Sequence, residues 1–303
     1  MVDVITCQQL TKFYQENKAL DGLDIEIKKG QITAILGRNG SGKTTLIKLL
    51  LNMISPTSGQ IFYEDCPVGK LGHGLYRRTA AILESVDNTY DYMTGKENID
   101  YFSGLLGQRA AFSSPKVQEL LDRLTLQDAI HSPAGGYSRG MRQKLALIIA
   151  LLSDADILFL DEPTLGLDFE SCRAIADTLK WLVQTEGKTI ILTSHQADLI
   201  EELADRVILL DKGKLLFSGD LASFKAKNKH ESQYMLTCKE GEFNKGRATM
   251  VDGAYQFLFA SHEELSLWLQ GHPDCLPFVT KIEEMNQRID DVLSHFYKEE
   301  LYD

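Results

Sequence analysis

The chain has 303 residues, 44% hydrophobic and 25% charged, the proportions of an ordinary globular protein, which exclude wholesale disorder and a fibrous repeat. Acidic residues outnumber basic ones, 43 to 32, for a net charge of −11, which argues against a broad basic face for nucleic acid. The longest apolar runs, such as 145–152, fall far short of the ~20 residues needed to span a bilayer.

Residues 1–220 alternate strand-like and helix-like segments. Short, apolar, mostly β-branched runs at 2–7, 23–27, 31–36, 157–160, 189–193 and 206–211 read as buried strands. Several are followed by helical periodicity, the pattern of an α/β domain with a mostly parallel sheet. The stretch from about 86 to 152 differs: 96–106, 115–124 and 140–152 read as helices, which predicts an inserted all-helical subdomain. From 221 to 303 the chain is aromatic-rich, with strands expected at 233–238 and 255–260. Ile282, Met285, Ile289, Val292, Leu293 and Phe296 recur at helical spacing and predict a closing amphipathic helix. This part is expected to be a small α+β accessory domain.

The start of the chain, residues 1–7, lacks the basic first residues and apolar core of a secretory signal. The five cysteines are scattered, odd in number and never spaced as C-x-x-C. They read as free thiols of a reducing compartment, and the chain as cytoplasmic.

The most informative residues are Gly37, Arg38, Asn39, Gly40, Ser41, Gly42, Lys43 and Thr44, which satisfy G-x-x-x-x-G-K-[ST]. A predicted strand runs in, and a predicted helix from Thr45 runs out. Glycines let backbone N–H groups turn inward as an anion nest, and the helix N-terminus adds partial positive charge. Lys43 can reach β- and γ-phosphates, and the Thr44 hydroxyl can ligate Mg2+. A nucleotide hydrolase also needs a carboxylate site, and 157–160 supplies it as an apolar strand ending in Asp161 and Glu162. Acids at the C-terminal end of a parallel strand lie where ligands bind in such sheets. Asp161 would hold Mg2+, directly or through water, and Glu162 would polarise the attacking water as general base.

Together with Asp161-Glu162-Pro163-Thr164-Leu165-Gly166-Leu167-Asp168 and Thr193-Ser194-His195, the loop makes residues 1 to about 220 resemble the nucleotide-binding subunit of ABC transporters, a P-loop NTPase. Tyr137-Ser138-Arg139-Gly140-Met141 is similar to the family's signature motif, keeping Ser138 and Gly140 of the usual Leu-Ser-Gly-Gly-Gln. This variant resembles the ATPases of ABC-2-type exporters, which include drug and peptide-antibiotic immunity systems.

The resemblance implies an ATPase using ATP and Mg2+. It implies a head-to-tail dimer, of two copies or of this chain with a close paralogue, in which Ser138 and Gly140 of one copy face the γ-phosphate of ATP on the other. By the same resemblance, Tyr14 stacks on adenine, with adjacent Phe13 as the alternative. His195 contacts the γ-phosphate, Asp168 belongs to the dimer-bridging loop, and Glu84 stands where the family usually has glutamine. A separate membrane-spanning permease is the implied partner, touching the chain around 85–96, with the chain peripheral on the inner face of the cell membrane. No nucleic-acid partner is expected. The competing class is a soluble ATPase of the same family that acts on nucleic acid or ribosomes.

Overall fold

The computed structural model describes residues 3–83, 89–108, 111–194, 196–226, 233–241, 246, 248–251, 253–285, 289, 292, 293 and 296. The chain divides into two compact units, Met1–Leu221 and Ala222–Asp303.

The first unit opens with β1 (Asp3–Tyr14), β2 (Asn17–Lys28) and β3 (Ile32–Leu36), followed by α1 (Lys43–Leu50). Next come β4 (Ser58–Tyr63), β5 (Cys66–Pro67), α2 (Val68–Leu71), α3 (His73–Arg78) and β6 (Thr79–Ile82). The helical region holds α4 (Gly95–Leu105), α5 (Pro115–Arg123) and α6 (Arg139–Leu151). The remainder is β7 (Ile157–Asp161), α7 (Phe169–Glu186), β8 (Thr189–Thr193), α8 (Ala197–Leu203), β9 (Arg206–Asp211) and β10 (Lys214–Asp220). Helix α9 (Leu221–Ala226) begins at the boundary between the units.

Two sheets organise this unit. A six-stranded sheet runs β10-β9-β3-β8-β7-β6. Its β6, β7, β8, β3 and β9 are parallel, and only the edge strand β10 pairs antiparallel. Every residue of β3, β7 and β8 is buried. A strand covered on both faces needs apolar residues throughout, which is why these three segments are the most legible in the sequence. The second sheet, β2-β1-β4-β5, is antiparallel. Its inward residues Val4, Ile25, Ile27 and Ile61 share one apolar core with Leu46, Leu49 and Leu50 of α1. Strand β8 lies between β3 and β7, so the C-terminal ends of all three come together at one edge of the sheet.

The helical region carries its own start signals. Thr94 and Glu97 form a reciprocal capping box at α4, Ser114 caps α5 with Pro115 at its first position, and Ser138 caps α6. Such caps satisfy N–H groups that have no partner inside the helix. The bridge Thr94↔Pro133 is the β-pairing found here among the described residues. An ion-pair cluster ties α5 to the α/β core. Lys116 Nζ lies 2.9 Å from Asp154 and 3.3 Å from Glu186, and the nearly buried Lys188 lies 3.2 Å from the same Asp154 oxygen.

The second unit contains β11 (Gln233–Cys238), β12 (Thr249–Val251), β13 (Ala254–Phe259), α10 (His262–Gly271) and β14 (Val279–Met285). The strands form an antiparallel sheet, β12-β13-β11-β14. Leu236, Cys238, Phe257, Phe259 and Leu265 make its core, with Trp268 packed against it. The expectation of one helix from Ile282 to Phe296 needs correction. Ile282 and Met285 lie in β14, opposite Leu236 and Gln233, whereas Ile289, Val292, Leu293 and Phe296 are helical. An i, i+3 pair of apolar residues fits a helix, but Val279, Thr280 and Ile282 are β-branched and their segment has a strand to pair with, so tertiary pairing wins.

The Lys116 hydrogen bond, reinforced by Lys188, holds the Asp154 carboxyl below its usual range. A depressed carboxylate stabilises the fold above its unfolded pKa of about 3.9, and that contribution is lost as pH falls through the lower folded value. Asp154→Asn should therefore lower stability by about 0.5–1 kcal/mol at pH 7, the scale of an exposed pair. Urea unfolding should show this deficit shrinking as the pH is lowered through the carboxylate range. A deficit that stays constant with pH would contradict the electrostatic origin.

Candidate functional site

The site begins where β3 ends. Gly37, Gly40 and Gly42 have φ of 151°, 80° and 106°, conformations that L side chains rarely adopt. Space constrains two of them further. A Cβ on Gly37 would collide with the Leu210 carbonyl and the Ser41 side chain, and one on Gly42 would lie 2.7 Å from the Ala19 carbonyl oxygen. The loop turns tightly enough for α1 to start at Gly42 with no side-chain cap and no acid in its first turn. A helix N-terminus without a cap is a ready site for an anion.

Lys43 is buried and folds over the loop, its Nζ donating to the carbonyls of Gly37 (2.7 Å) and Arg38 (3.2 Å). The Ser41 hydroxyl is buried in the same cradle and has no hydrogen-bond partner among the described residues. A buried hydroxyl in that state is costly, and a phosphate oxygen in the cradle would relieve it.

At the end of β7, Asp161 is buried and its two oxygens are separately engaged. Thr44 Oγ1 donates to Oδ2 at 3.2 Å, and Thr193 Oγ1, from the end of β8, donates to Oδ1 at 2.7 Å. The Thr193 hydroxyl in turn accepts the backbone N–H of Glu162 at 2.9 Å. Glu162 itself has φ 51°, the left-handed region, at a cost of about 1–2 kcal/mol for a residue with a side chain. This turn redirects the chain immediately after the strand and sets Glu162 on the wall of the cleft. The Thr44 hydroxyl and the Asp161 carboxylate are hard oxygen donors within 3.2 Å of each other, beside an anion cradle. That donor set fits Mg2+ bound to a phosphate chain.

Thr44, Asp161 and Glu162 line one cleft of ≈ 790 Å³, together with Tyr14, Asn39, Gly40, Ser41, Gly42, Lys43 and Thr45, whereas Gly37 and Arg38 are outside its lining. The volume is within the usual range for a cofactor-sized ligand. Tyr14 is 45% exposed and is the aromatic that lines the cleft; Phe13 does not. Their rings take different cations, Lys12 Nζ 5.2 Å from Tyr14 and Lys18 Nζ 5.4 Å from Phe13.

Ser138, Gly140 and Asp168 are not among the residues lining this cleft. The Ser138 side chain accepts the Met141 N–H at 3.2 Å, capping α6. Asp168 caps α7, accepting the Ser171 N–H at 2.8 Å and its hydroxyl at 3.0 Å, and these bonds hold its carboxyl below the usual range. Gly140 packs against that second helix start, where an added Cβ would sit 2.9 Å from Ser171 Cβ. The starts of α6 and α7 are thus fixed against each other. Tyr137 is buried and its hydroxyl donates to the Ala129 carbonyl at 2.6 Å, anchoring the turn before Ser138. Glu84 and His195 lie outside the described residues.

Sequence reasoning missed part of the cleft. Asn17, Lys18, Ala19, Leu165 and Lys212 also line it, and Thr193 supports Asp161. Lys212 comes from the β9–β10 turn, which is hydrogen-bonded to the loop through Gly213 N–H to the Ser41 carbonyl (3.1 Å) and to β2 through Asp21 N–H to the Gly213 carbonyl (2.8 Å). The Lys212-Gly213 turn dipeptide was the only local signal.

Comparison with known proteins agrees with this geometry. The ABC transporter family model matches residues 20–165. The ABC transporter ATP-binding protein NatA of Bacillus subtilis (strain 168) is 31% identical, over 78% of this chain and 98% of its own length. The bacitracin transport ATP-binding protein BcrA of Bacillus licheniformis is 35% identical, over 78% of this chain and 76% of its own. Among solved structures, a dimeric bacterial ABC transporter cassette superposes with a TM-score of 0.63 at 25% identity, covering 72% of this chain and 98% of that one.

Proposed function

Because the chain belongs to the ABC transporter family of ATP-binding subunits and is an ATPase of that family, we propose that it powers a membrane exporter whose transport path lies in a separate permease. The observation that carries the reading is the meeting of the glycine loop, Asp161 and Glu162 in one cleft. The similarity to a bacitracin transport subunit supports export.

In this reading the backbone of Gly37, Arg38, Asn39, Gly40, Ser41 and Gly42 cradles the phosphates of ATP. Lys43 leaves the loop carbonyls to neutralise the β- and γ-oxygens, and Tyr14 stacks on the base. Thr44 and Asp161 would hold Mg2+, which supplies charge neutralisation at the β- and γ-phosphates. Glu162 orients and deprotonates the attacking water. The opposing wall comes from a second copy or a close paralogue, with the helix start at Ser138 and Gly140 facing the γ-phosphate and Asp168 bridging the two heads. His195 would contact the γ-phosphate, and Glu84, standing where the family usually has glutamine, would approach Mg2+ or its water. ATP would close the two heads and hydrolysis would release them.

Among the described residues no helix is long and apolar enough to cross a membrane. The permease would meet the chain from the inner face of the membrane, near the start of α4. An aromatic cluster supports that location: Tyr90 packs on Tyr101 (5.1 Å between ring centres) and on Phe102 (5.8 Å), and Tyr92 beside it is 76% exposed. Exposed aromatic groups on a charged surface are characteristic of protein interfaces.

Glu162→Gln keeps the shape of the site but removes the base. Turnover should fall by about 100-fold or more while ATP binding persists; an unchanged kcat would remove Glu162 from this role. Purification of the tagged chain from its native membranes in mild detergent should bring down a multi-spanning protein in near-equal amount. Tyr92→Asp should lose that partner and keep basal hydrolysis. Recovery of nucleic acid or ribosomal proteins in place of a membrane protein would overturn transport.

A further inference from the structure

The second unit brings together two cysteines that are distant in the sequence. Cys238 is the last residue of β11 and Cys275 lies in the short 3-10 helix Pro273–Phe278. The Lys239 N–H donates to the Phe278 carbonyl at 2.9 Å, and Cys238 pairs with Val279, the first residue of β14. The turn carrying Cys275 therefore leads directly into the strand residue opposite Cys238. Both side chains are fully buried, and they lie close enough that each thiol influences the ionisation of the other.

We propose that Cys238 and Cys275 form a reversible dithiol–disulfide site in the second unit, oxidised by exchange with a small-molecule disulfide. One protein thiolate attacks a sulfur of the oxidant, expelling one small thiolate and leaving a mixed disulfide. The second cysteine, deprotonated, attacks the protein sulfur of that mixed disulfide, forming the Cys238–Cys275 bond and expelling the other small thiolate. Two protein thiols lose two electrons and two protons; the oxidant gains both and leaves as two thiols.

The surroundings set the order of events. Burial raises the Cys238 thiol to about 11 and also raises Cys275. Cys238 lies within the core of the sheet unit, whereas Cys275 is the buried residue of a turn whose neighbours Asp274, Leu276 and Pro277 are exposed. Local opening of that turn exposes Cys275 first, so it is the attacking residue and Cys238 resolves the mixed disulfide. Once formed, the bond ties the turn to β11 and keeps it closed. The remaining cysteines do not supply this arrangement: Cys7 is buried in the other unit, and Cys66 and Cys172 are only partly buried there.

The test uses the full chain carrying Cys66→Ser and Cys172→Ser, incubated with oxidised glutathione. The protein is then unfolded in excess alkylating reagent and mapped by mass spectrometry. The expected result is one linked peptide pair joining Cys238 to Cys275, two fewer alkylated thiols, and full reversal by dithiothreitol. The oxidised chain should also melt higher by about 5 °C or more in the transition of the second unit, because a closed loop restricts the unfolded chain. Cys275→Ser should abolish both changes, whereas Cys238→Ser should trap a glutathione adduct on Cys275. Complete alkylation of all thiols after prolonged oxidation would overturn the proposal. So would a stable glutathione adduct on the intact pair without a crosslink.

Discussion

The carboxylate of Asp161 is the point on which the architecture of the first unit converges. Each of its oxygens is bonded to a threonine from a different element, Thr44 at the start of α1 and Thr193 at the end of β8. A buried carboxylate without such partners would be strongly unfavourable. The strand order gives it those partners, because β8 separates β3 from β7 and ends in register with Asp161. The same Thr193 hydroxyl holds the Glu162 N–H. One hydrogen-bonded chain thus links the phosphate loop, the carboxylate and the residue assigned as base. A volume change in any of the three strands would be felt at the site, since all three are buried along their whole length.

The parts of this site that could be read from the sequence are those whose chemistry is local. Gly37, Gly42 and Lys43 occur within one short loop, and the left-handed conformations of the two glycines demand glycine whatever the rest of the fold does. Asp161 and Glu162 follow an apolar strand that has no polar alternative. Thr193 and Lys212 were missed because their roles depend on strand order and on a hairpin docking against the loop, neither of which leaves a local mark. Strand β4 and the edge strand β10 were missed for a related reason: half-exposed strands mix polar with apolar residues and lose the continuous run. Ile282 shows the opposite failure, a true apolar spacing assigned to the wrong period until β11 supplied a pairing partner. The approach of Cys238 to Cys275 likewise exists only once the sheet has formed.

Ser138, Gly140 and Asp168 show how one residue can serve the fold and the proposed site. Within a single chain Ser138 and Asp168 are helix caps, and Gly140 is small because α7 begins against it. Those contacts join the helical region to the segment following Glu162. The ion pairs among Lys116, Asp154, Glu186 and Lys188 make a second connection at the opposite end of α6. A rigid connection at both ends of that helix would carry a change at the nucleotide cleft into the surface bearing Tyr90 and Tyr92. That is the mechanical requirement of a subunit that spends ATP on a partner.

The central claim, that the glycine loop and Asp161 form one Mg2+-assisted ATP site, is tested most directly by calorimetric titration of ATP with and without Mg2+. The wild-type chain should bind ATP more tightly when Mg2+ is present, and Asp161→Asn should abolish most of that gain while still binding the nucleotide. A Mg2+ effect of equal size in both proteins would contradict the claim, as would a wild-type chain that binds no ATP.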